Sequence, residues 1–461
     1  MTRDSTTSSE KKSRFEVGSE LVDNITALIA GDRRAMVMNI VADLHEADTA
    51  VLLQHLPTDR AYRLFHWLDH ELAAEILPEL DDSLRASLLA DVGADRLTEF
   101  LDEMDTDDAA DVIAELPERV ARTVLPKLDD AEAIEGLLEY GEDTAGGIMG
   151  TEYVAVSDSR TVADATEEVR RKAEIVEPIY AVFVVDDDRR VLGAVSLKRL
   201  LLSPAVMNVA DAIDIDNVTV ETNVDQEEVA RIMERYDLVS LPVVDSSGAL
   251  LGRITIDDVV DVLREEAEED IQRMSGVSGA EDPNASVLSI SRGRILWLLV
   301  GLVGAGLAAL VVAQFKEELQ RATILASFIP IVMAMAGNAG IQSSAIAVQG
   351  LASGEVWASD ILRRLAKETA VAVLNGVTLA AVLGVLVVLV VGDEGATRLA
   401  ITASLSLVVV IIMATTIGAV VPLLFHRFGV DPAIATGPFI MMMNDILGTL
   451  VFFLLATAIY L

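Results

Sequence analysis

The C-terminal third of the chain, from Arg292 to Leu461, constrains the fold most, because it consists of long apolar stretches with few charges. A helix of about 20 apolar residues is long enough to cross the hydrocarbon core of a bilayer. By length and apolarity the segment contains five such stretches, at about 295–315, 323–350, 369–392, 399–425 and 433–461. We therefore predict an all-α bundle of five transmembrane helices, with the lipid bilayer as its environment.

The charge of the chain divides at the same point. Of its 73 acidic and 35 basic residues, nine of each lie from Arg292 onward, so residues 1–291 carry the entire formal net charge of −38. Cations are the expected partners of such a surface, and nucleic acid is not. Because the chain has no cysteine, disulfides and thiolate metal sites are excluded. Only seven of the 35 basic residues are Lys, a balance typical of salt adaptation, which would explain the acidity without any specific cation site.

A single carboxylate, Asp445, lies near the middle of the last apolar stretch, beside Asn444. An ionised Asp at mid-depth of a membrane costs roughly 2.5–3.5 kcal/mol, and such residues usually face a bundle interior or a watery cavity on an ion path. The sequence therefore indicates an ion-binding role for Asp445. The alternative is a protonated Asp that is hydrogen-bonded to a neighbouring helix.

The second apolar stretch contains the other unusual feature, the segment GNAGIQ at 337–342. Asn338 and Gln342 are four residues apart, so their amides share one helical face. Gly337 and Gly340 permit close backbone approach or local unwinding, which membranes tolerate only against protein or a watery cavity. These residues could simply join two helices, but together with Asp445 they favour an ion path.

Residues 20–140 read as short amphipathic helices with loose internal repetition. HELAAEILPEL at 70–80 resembles DDAADVIAELP at 107–117, and Leu-Pro pairs close several of the units. Repeats of this kind stack into an all-α superhelical domain. Asp107 and Asp111 lie four apart on one helix face, where they could share a cation or form a solvated acidic surface.

A sharper repeat follows, in which residues 180–201 align with 239–260 at a constant offset of 59. Each unit reads as helix, strand, turn, strand and helix, and the pair resembles tandem CBS domains. In such domains a G-x-h-T-x-x-D pattern often contacts an adenine nucleotide, and Gly252, Thr255 and Asp258 match it. The first unit has Ser196 and then Arg199 at the last two positions, so the resemblance implies one nucleotide site, for ATP or another adenine nucleotide.

The whole order of segments resembles the MgtE family of magnesium channels. The matching motifs are TAGGIM at 144–149, PVVD at 242–245, GRITIDDVVDVL at 252–263, the proline and GNAGIQ at 330–342, and DPAIATGP at 431–438 followed by Asp445. The expected fold is a multidomain membrane protein with an all-α N-terminal superhelical domain, α/β tandem CBS domains and an all-α transmembrane bundle. The expected boundaries are a disordered tail at 1–19, the helical N-domain at 20–140, CBS units at 141–203 and 204–270, a connecting (plug) helix region at 271–294, and the membrane domain at 295–461.

The resemblance implies a magnesium-selective channel or transporter, not an enzyme, that forms a homodimer through its membrane and CBS domains. Its pore residues would be Asp445, Asn338, Gln342, Gly337 and Met441. A multi-pass protein of the cell membrane with cytoplasmic N-terminal domains and its C-terminus outside agrees with the distribution of Arg and Lys around the spans.

Mg²⁺ bound to the acidic soluble part would close such a channel when the cytoplasm is replete. The residues Asp257 and Asp261 share a helical face and are the first candidates for the sensor. The further candidates are Asp225, Asp245, Asp258, Glu265, Glu266, Asp431, Asp107 and Asp111.

Two alternatives remain open at this point. One is a transporter of another divalent ion, such as Co²⁺, Mn²⁺ or Ni²⁺. Softer metals are disfavoured because no His or Cys stands within the apolar stretches except His426 at an end. The other alternative is a membrane-anchored nucleotide or metal sensor, in which Asp445 would have no evident role.

Overall fold

The computed structural model describes residues 17–173, 175–176, 178–277, 287–352, 361–391 and 395–461. The chain divides into two compact units, one ending at Arg264 and the other beginning at Glu265, and each is described by itself. Residues 1–16 of the predicted tail and 278–286 of the predicted connecting region lie outside the described residues.

The first unit begins with a succession of short helices. They are α1 (Ser19–Ala30), α2 (Arg34–Val41), α3 (Glu46–His55), α4 (Thr58–Phe65), α5 (His70–Ile76), α6 (Asp82–Leu89), α7 (Ala94–Leu101), α8 (Thr106–Glu115), α9 (Glu118–Val124) and α10 (Ala131–Leu137). Helices that are two apart in the chain pack on each other, as α5 does on α7 and α7 on α9. This stacking gives the predicted superhelix.

Two of the four Leu-Pro pairs in this domain end helices in the way that the sequence predicts, whereas Leu77 and Leu125 keep helical dihedral angles before their prolines. Leu56 and Leu116, each followed by Pro, lie in extended conformation directly after α3 and α8. Proline clashes with a helical conformation of the residue before it, so each pair stops one helix and directs the chain to the next. Apolar residues one turn apart then face inward, and Phe65 and Phe100 meet edge to face in the core.

Two similar α/β units follow, and their last helix continues past Arg264 into the second unit. They contain β1 (Ala155–Ser157), α11 (Val162–Lys172), β2 (Ala181–Val185), β3 (Val191–Ser196), α12 (Leu197–Leu202), α13 (Val209–Ala212), β4 (Val220–Glu221), α14 (Gln226–Arg235), β5 (Ser240–Val244), β6 (Leu250–Thr255) and α15 (Ile256–Met274). In each sheet the first strand is parallel to the middle strand, which is antiparallel to the third. The ends of β2 and β3 map onto those of β5 and β6 at the predicted offset of 59.

The helical domain shares its core with the second CBS unit. One cluster of buried side chains runs from Phe65 and Phe100 to Leu241 and Ile254, whereas the first CBS unit has its own core around Val184. The surface between the helical domain and the second CBS unit is therefore the place where acidic residues of both can meet.

The second unit contains five helices long and apolar enough to cross a membrane. They are α16 (Val287–Gln314), α18 (Ile329–Ala352), α19 (Ile361–Val391), α20 (Ala396–Arg427) and α21 (Gly437–Ile459), with the short α17 (Lys316–Arg321) after the first. Helix α20 packs against α18, α19 and α21, and α16 packs against α21. The predicted fold class is confirmed in all three of its parts.

Candidate cation-binding sites

Asn444 fixes the depth of α21 against α18. Its side chain is fully buried, and its Nδ2 donates to the carbonyl oxygen of Ala336 at 3.3 Å. A side chain at Gly340 would collide with the Asn444 amide, and a side chain at Gly418 of α20 would collide with the Gly340 carbonyl. Small residues let backbones approach closely within membranes. Ala336–Gly340 therefore lie level with Asn444, where three helices meet.

Helix α18 stays continuous through GNAGIQ, so of the two predicted roles of the glycines the structure has close approach and no unwinding. Only Gly340 makes that approach, because the Cβ position of the buried Gly337 faces open space. Asn338 and Gln342 lie on the exposed side of α18, whereas Ala336 and Gly340 are buried against the other helices. The two amides thus point away from the interior of their own chain.

Asp445 follows Asn444 and is half-buried. Successive residues of a helix differ by about 100° in direction, so Asp445 does not share the buried face of Asn444. The exposed Met441 lies one turn earlier on the side of Asp445, while Met442 packs against Gly304 of α16. Asp445 and Asn338 therefore lie at similar depth, on sides of their helices that the other described residues leave at least partly uncovered.

A second polar site lies in the first unit, between the helical domain and the second CBS unit. It is a cavity of about 70 Å³ with six carboxylates around it. Its acidic residues are Asp105, Asp107 and Asp108 from the start of α8, Glu152 from the segment before β1, and Asp257 and Asp258 from the start of α15. We call it the acidic cavity. Arg253 is the basic residue in its lining, and one of its guanidinium nitrogens donates to the Pro178 carbonyl oxygen at 2.7 Å.

Glu152 joins the two sides of the acidic cavity. Its carboxylate accepts from the backbone N–H of Thr106 at 3.2 Å and from the Thr106 hydroxyl at 3.1 Å. The N–H is one of the unpaired donors at the start of α8, so a residue from outside the helical domain caps this helix. Gly150 leaves room for the acids, because a Cβ there would stand 3.1 Å from Glu152 Oε2 and 3.4 Å from both carboxylate oxygens of Asp107.

Burial and mutual repulsion raise the pKa of several of these carboxyl groups. Burial, followed by the charge of Glu152, raises the pKa of Asp105 to about 6, and burial, followed by the charge of Asp105, raises the pKa of Asp108 to about 8. Burial and the neighbouring Asp108 also raise the pKa of Asp107 well above its usual range. Asp107 Oδ1 is buried and has no hydrogen-bond partner among the residues that the structure describes. Such a group is what a bound cation would satisfy.

The acidic cavity suits a hydrated ion. Within the described ranges, no three carboxylates or imidazoles converge closely enough to form a ready-made metal centre. Mg²⁺ is reluctant to lose water and is usually held through one or two carboxylates with several waters retained. Each water needs roughly 10–15 Å³ of accessible volume, so the cavity has room for an ion that keeps part of its shell.

The structure brings together only some of the predicted sensor residues. Asp107, Asp257 and Asp258 line the acidic cavity, whereas Asp111 and Asp261 lie one turn further along their helices and outside its lining. The cavity also contains Asp105, Asp108 and Glu152, which sequence reasoning did not name. For Asp105 and Asp108 the sequence signal was the acidic run DTDD at 105–108, which also contains Asp107.

Other predicted sensor residues have local structural partners. Asp225 caps α14 by accepting from the Glu227 N–H at 2.9 Å, and Asp245 organises the turn between β5 and β6. Hydrogen bonds from Ser247 and Ala249 lower the pKa of Asp245. Glu265 and Glu266 lie further along α15 and outside the lining of the acidic cavity.

Asp431 lies where the chain turns into α21. Its carboxylate accepts from the guanidinium of Arg273 near the end of α15, and from the Ala433 N–H at 2.7 Å. Gly437 has a positive φ of 43°, and its Cβ position is blocked by the Met274 carbonyl. The end of α15 is therefore packed on the start of α21 through an ion pair and a close backbone contact.

The nucleotide motif overlaps the acidic cavity. Thr255 donates to Asp258 from its N–H at 2.9 Å and from its hydroxyl at 2.7 Å, and both residues also line the cavity. Gly252 packs against Met149. In the first CBS unit Ser196 donates in the same way to Asp214, which comes from a later segment.

Comparison with known proteins covers all three parts of the chain. Residues 329–455 match the MgtE family described as "Divalent cation transporter", 44–143 match "MgtE intracellular N domain", and 145–205 and 209–265 match "CBS domain". The chain is 34% identical to "Magnesium transporter MgtE" of Thermus thermophilus over 92% of its own length and 95% of that protein. It is 30% identical to "Magnesium transporter MgtE" of Bacillus subtilis, over 95% and 97% of the two chains.

Among solved structures, the chain is similar to "Crystal structure of the cytosolic domain of the Mg2+ channel MgtE in complex with ATP". The identity is 37% and the TM-score 0.48, over 51% of this chain and 97% of the other.

These findings define a multi-pass membrane transporter of divalent cations with an N-terminal helical domain and paired CBS domains, and not an enzyme. The chain belongs to the MgtE family of magnesium transporters.

Proposed function

We propose that this protein is a magnesium-selective channel, which passes Mg²⁺ down its electrochemical gradient into the cytoplasm. The observation that carries the proposal is the common depth of Asp445 and Asn338, set by the bond between Asn444 and Ala336. A divalent ion that crosses 100 mV gains about 4–5 kcal/mol, twice the value for a single charge, so entry needs no other energy source.

The pore is formed between two copies of the chain. Asn338 and Gln342 are exposed on α18, and amides exposed to hydrocarbon would be costly. A homodimer that joins these faces gives them a watery path and supplies two Asp445 carboxylates, one from each chain. The Gly337 backbone and Met441 lie beside the same path. A hydrated Mg²⁺ ion between two carboxylates and several amides matches the preference of this ion.

The N-terminal domains lie in the cytoplasm and the C-terminus outside, because Arg and Lys then flank the cytoplasmic ends of the spans. The acidic cavity senses cytoplasmic Mg²⁺. Without a cation its carboxylates repel each other, and a hydrated Mg²⁺ held among Asp107, Asp257 and Asp258 draws the helical domain onto the second CBS unit. Helix α15 starts at this cavity and ends at Arg273 and Asp431, so it carries the change towards the pore helix.

The experiment is Mg²⁺ flux into liposomes that contain the purified full-length protein. We expect Asp445→Ala to abolish flux and Asp445→Asn to retain at most weak flux, with dimer formation unchanged by size-exclusion chromatography. Glu317→Gln is the matched control, because Glu317 is an exposed acid outside the five spans, and its flux should equal that of the wild type. Normal flux through Asp445→Ala would rule out the assignment of the pore.

Co²⁺, Mn²⁺ and Ni²⁺ test the selectivity in the same liposomes. Carboxylate and amide oxygens suit Mg²⁺ and Mn²⁺, whereas imidazole suits Ni²⁺, and His426 lies at the end of α20. We expect the flux of Co²⁺ and Ni²⁺ to be much lower than that of Mg²⁺, with Mn²⁺ the nearest competitor, and equal flux of all four ions would make the protein a general transporter of divalent ions.

A further inference from the structure

Glu368 is a second carboxylate within the spans that sequence reasoning did not consider. In the five apolar helices, acidic residues occur at only two positions, Asp445 in α21 and Glu368 in α19. An ionisable residue at such a place is expensive and is usually retained for function.

The contacts of Glu368 with the described residues include a hydroxyl donor and no basic partner. Its Oε2 accepts from the hydroxyl of Ser343 in α18 at 3.2 Å. Arg364, one turn earlier in α19, donates instead to the carbonyl oxygen of Ile346 at 2.7 Å and packs against Gly350. Within the part of the chain that the structure describes, no Lys, Arg or His nitrogen lies within 4.0 Å of the Glu368 carboxylate.

The register of α18 gives the depth of this carboxylate. Ala336 lies level with Asn444, and Ser343 comes seven residues later, which is about 10 Å along the helix at 1.5 Å per residue. In the proposed orientation this direction leads to the cytoplasm. Glu368 is therefore about two turns inward of Asp445, and it is partly exposed, whereas Ser343 itself is buried.

We propose that Glu368, positioned by the Ser343 hydroxyl, forms a second cation site on the cytoplasmic side of Asp445, through which a hydrated Mg²⁺ leaves the pore. The inference rests on the proposed channel function. Conduction requires several weak sites, so that an ion that binds tightly enough to enter can still leave. The ion at Asp445 can move to Glu368. The next ion that occupies the Asp445 site then repels the ion at Glu368 into the cytoplasm.

Mg²⁺ flux into liposomes that contain the full-length protein tests the charge of Glu368 separately from its position. Glu368→Gln keeps a hydrogen-bond acceptor for Ser343 and removes the charge, whereas Ser343→Ala keeps the charge and removes the donor. We expect Glu368→Gln to lower the maximal Mg²⁺ flux about tenfold with little change in the half-saturating external Mg²⁺, because entry still depends on Asp445. Ser343→Ala should change flux less than about twofold, and Glu368→Asp should restore most of it.

The opposite pattern would overturn the inference. If Glu368→Gln conducts like the wild type while Ser343→Ala does not, Glu368 only holds α18 in place. Asp445→Asn is measured in parallel, so that loss of the channel assignment is told apart from loss of this site. If Asp445→Asn is inactive and Glu368→Gln is normal, only the second site fails.

Chemical modification gives a measurement that does not depend on how the variants fold. A carbodiimide with a small amine labels accessible carboxylates, and mass spectrometry reports the labelling of Glu368 in the wild-type chain. We expect Mg²⁺ to slow this labelling at concentrations where Na⁺ of equal ionic strength does not. Equal protection by the two salts would show screening without a site.

Discussion

Replacing Asp108 by Asn should stabilise the Mg²⁺-free protein, because this residue carries a large electrostatic cost. The fold raises the pKa of its carboxyl from 3.8 to about 8 through burial and the charge of Asp105. One pKa unit corresponds to about 1.4 kcal/mol, so the cost at pH 8 is at most about 5–6 kcal/mol. Because Asn also loses hydration and the neighbouring acids redistribute their protons, we expect a gain of about 1–3 kcal/mol.

The sign of the pH dependence follows from the direction of the shift. A carboxyl group whose pKa is raised on folding costs nothing below its unfolded pKa, and its cost grows as the pH rises towards its folded pKa. The wild-type protein should therefore lose stability between about pH 4 and pH 8, and the advantage of Asp108→Asn should be largest near pH 8. Mg²⁺ competes with the protons, so it should stabilise the wild type more at pH 8 than at pH 5.

Hydrogen exchange of the α8 amides in the full-length protein measures this stability at the cavity itself. Asp91→Asn is the matched control, since Asp91 is an exposed acid of the same helical domain that lies outside the cavity lining. Equal protection of wild type and Asp108→Asn at pH 8 without Mg²⁺ would refute the electrostatic reasoning. So would a gain that persists unchanged at pH 4.

Three further outcomes are expected. Asp257→Asn combined with Asp261→Asn should raise the inhibitory cytoplasmic Mg²⁺ concentration about 5–150-fold, as a coupling of about 1–3 kcal/mol implies. An unchanged inhibition curve in patch-clamp recordings would place the sensor elsewhere. Arg273→Ala removes the ion pair that joins α15 to Asp431, so inhibition by Mg²⁺ should weaken while flux at low cytoplasmic Mg²⁺ persists. Full inhibition of this variant would show that the ion pair does not couple Mg²⁺ binding to the pore. Gly340→Leu should prevent folding of the membrane unit, seen as aggregation on size-exclusion chromatography, because its side chain would enter the space of the Asn444 amide.

Repetition and apolarity were readable from the sequence because they are local. The five spans follow from apolar stretches that are longer than helices of soluble proteins require. The two CBS units follow from a sequence repeat at an offset of 59, which the strands keep at both ends. The Leu-Pro pairs at Leu56 and Leu116 end their helices because proline disfavours a helical conformation of the residue before it, whereas Leu77 and Leu125, which also precede proline, keep helical dihedral angles. Asp445 also stood out, because a carboxylate in an apolar run is unusual in any fold.

Which acids come together was decided only by the tertiary structure. Asp107 and Asp111 look equivalent along α8, yet only Asp107 lies in the acidic cavity, where burial and the neighbouring Asp108, together with Asp258 and Glu152 from other segments, raise its pKa. In a chain so rich in acids, sequence spacing cannot tell a cavity from a solvated surface, because burial and the charge of distant neighbours make the difference. The same holds for Glu368, whose contact with Ser343 exists only because two helices pack.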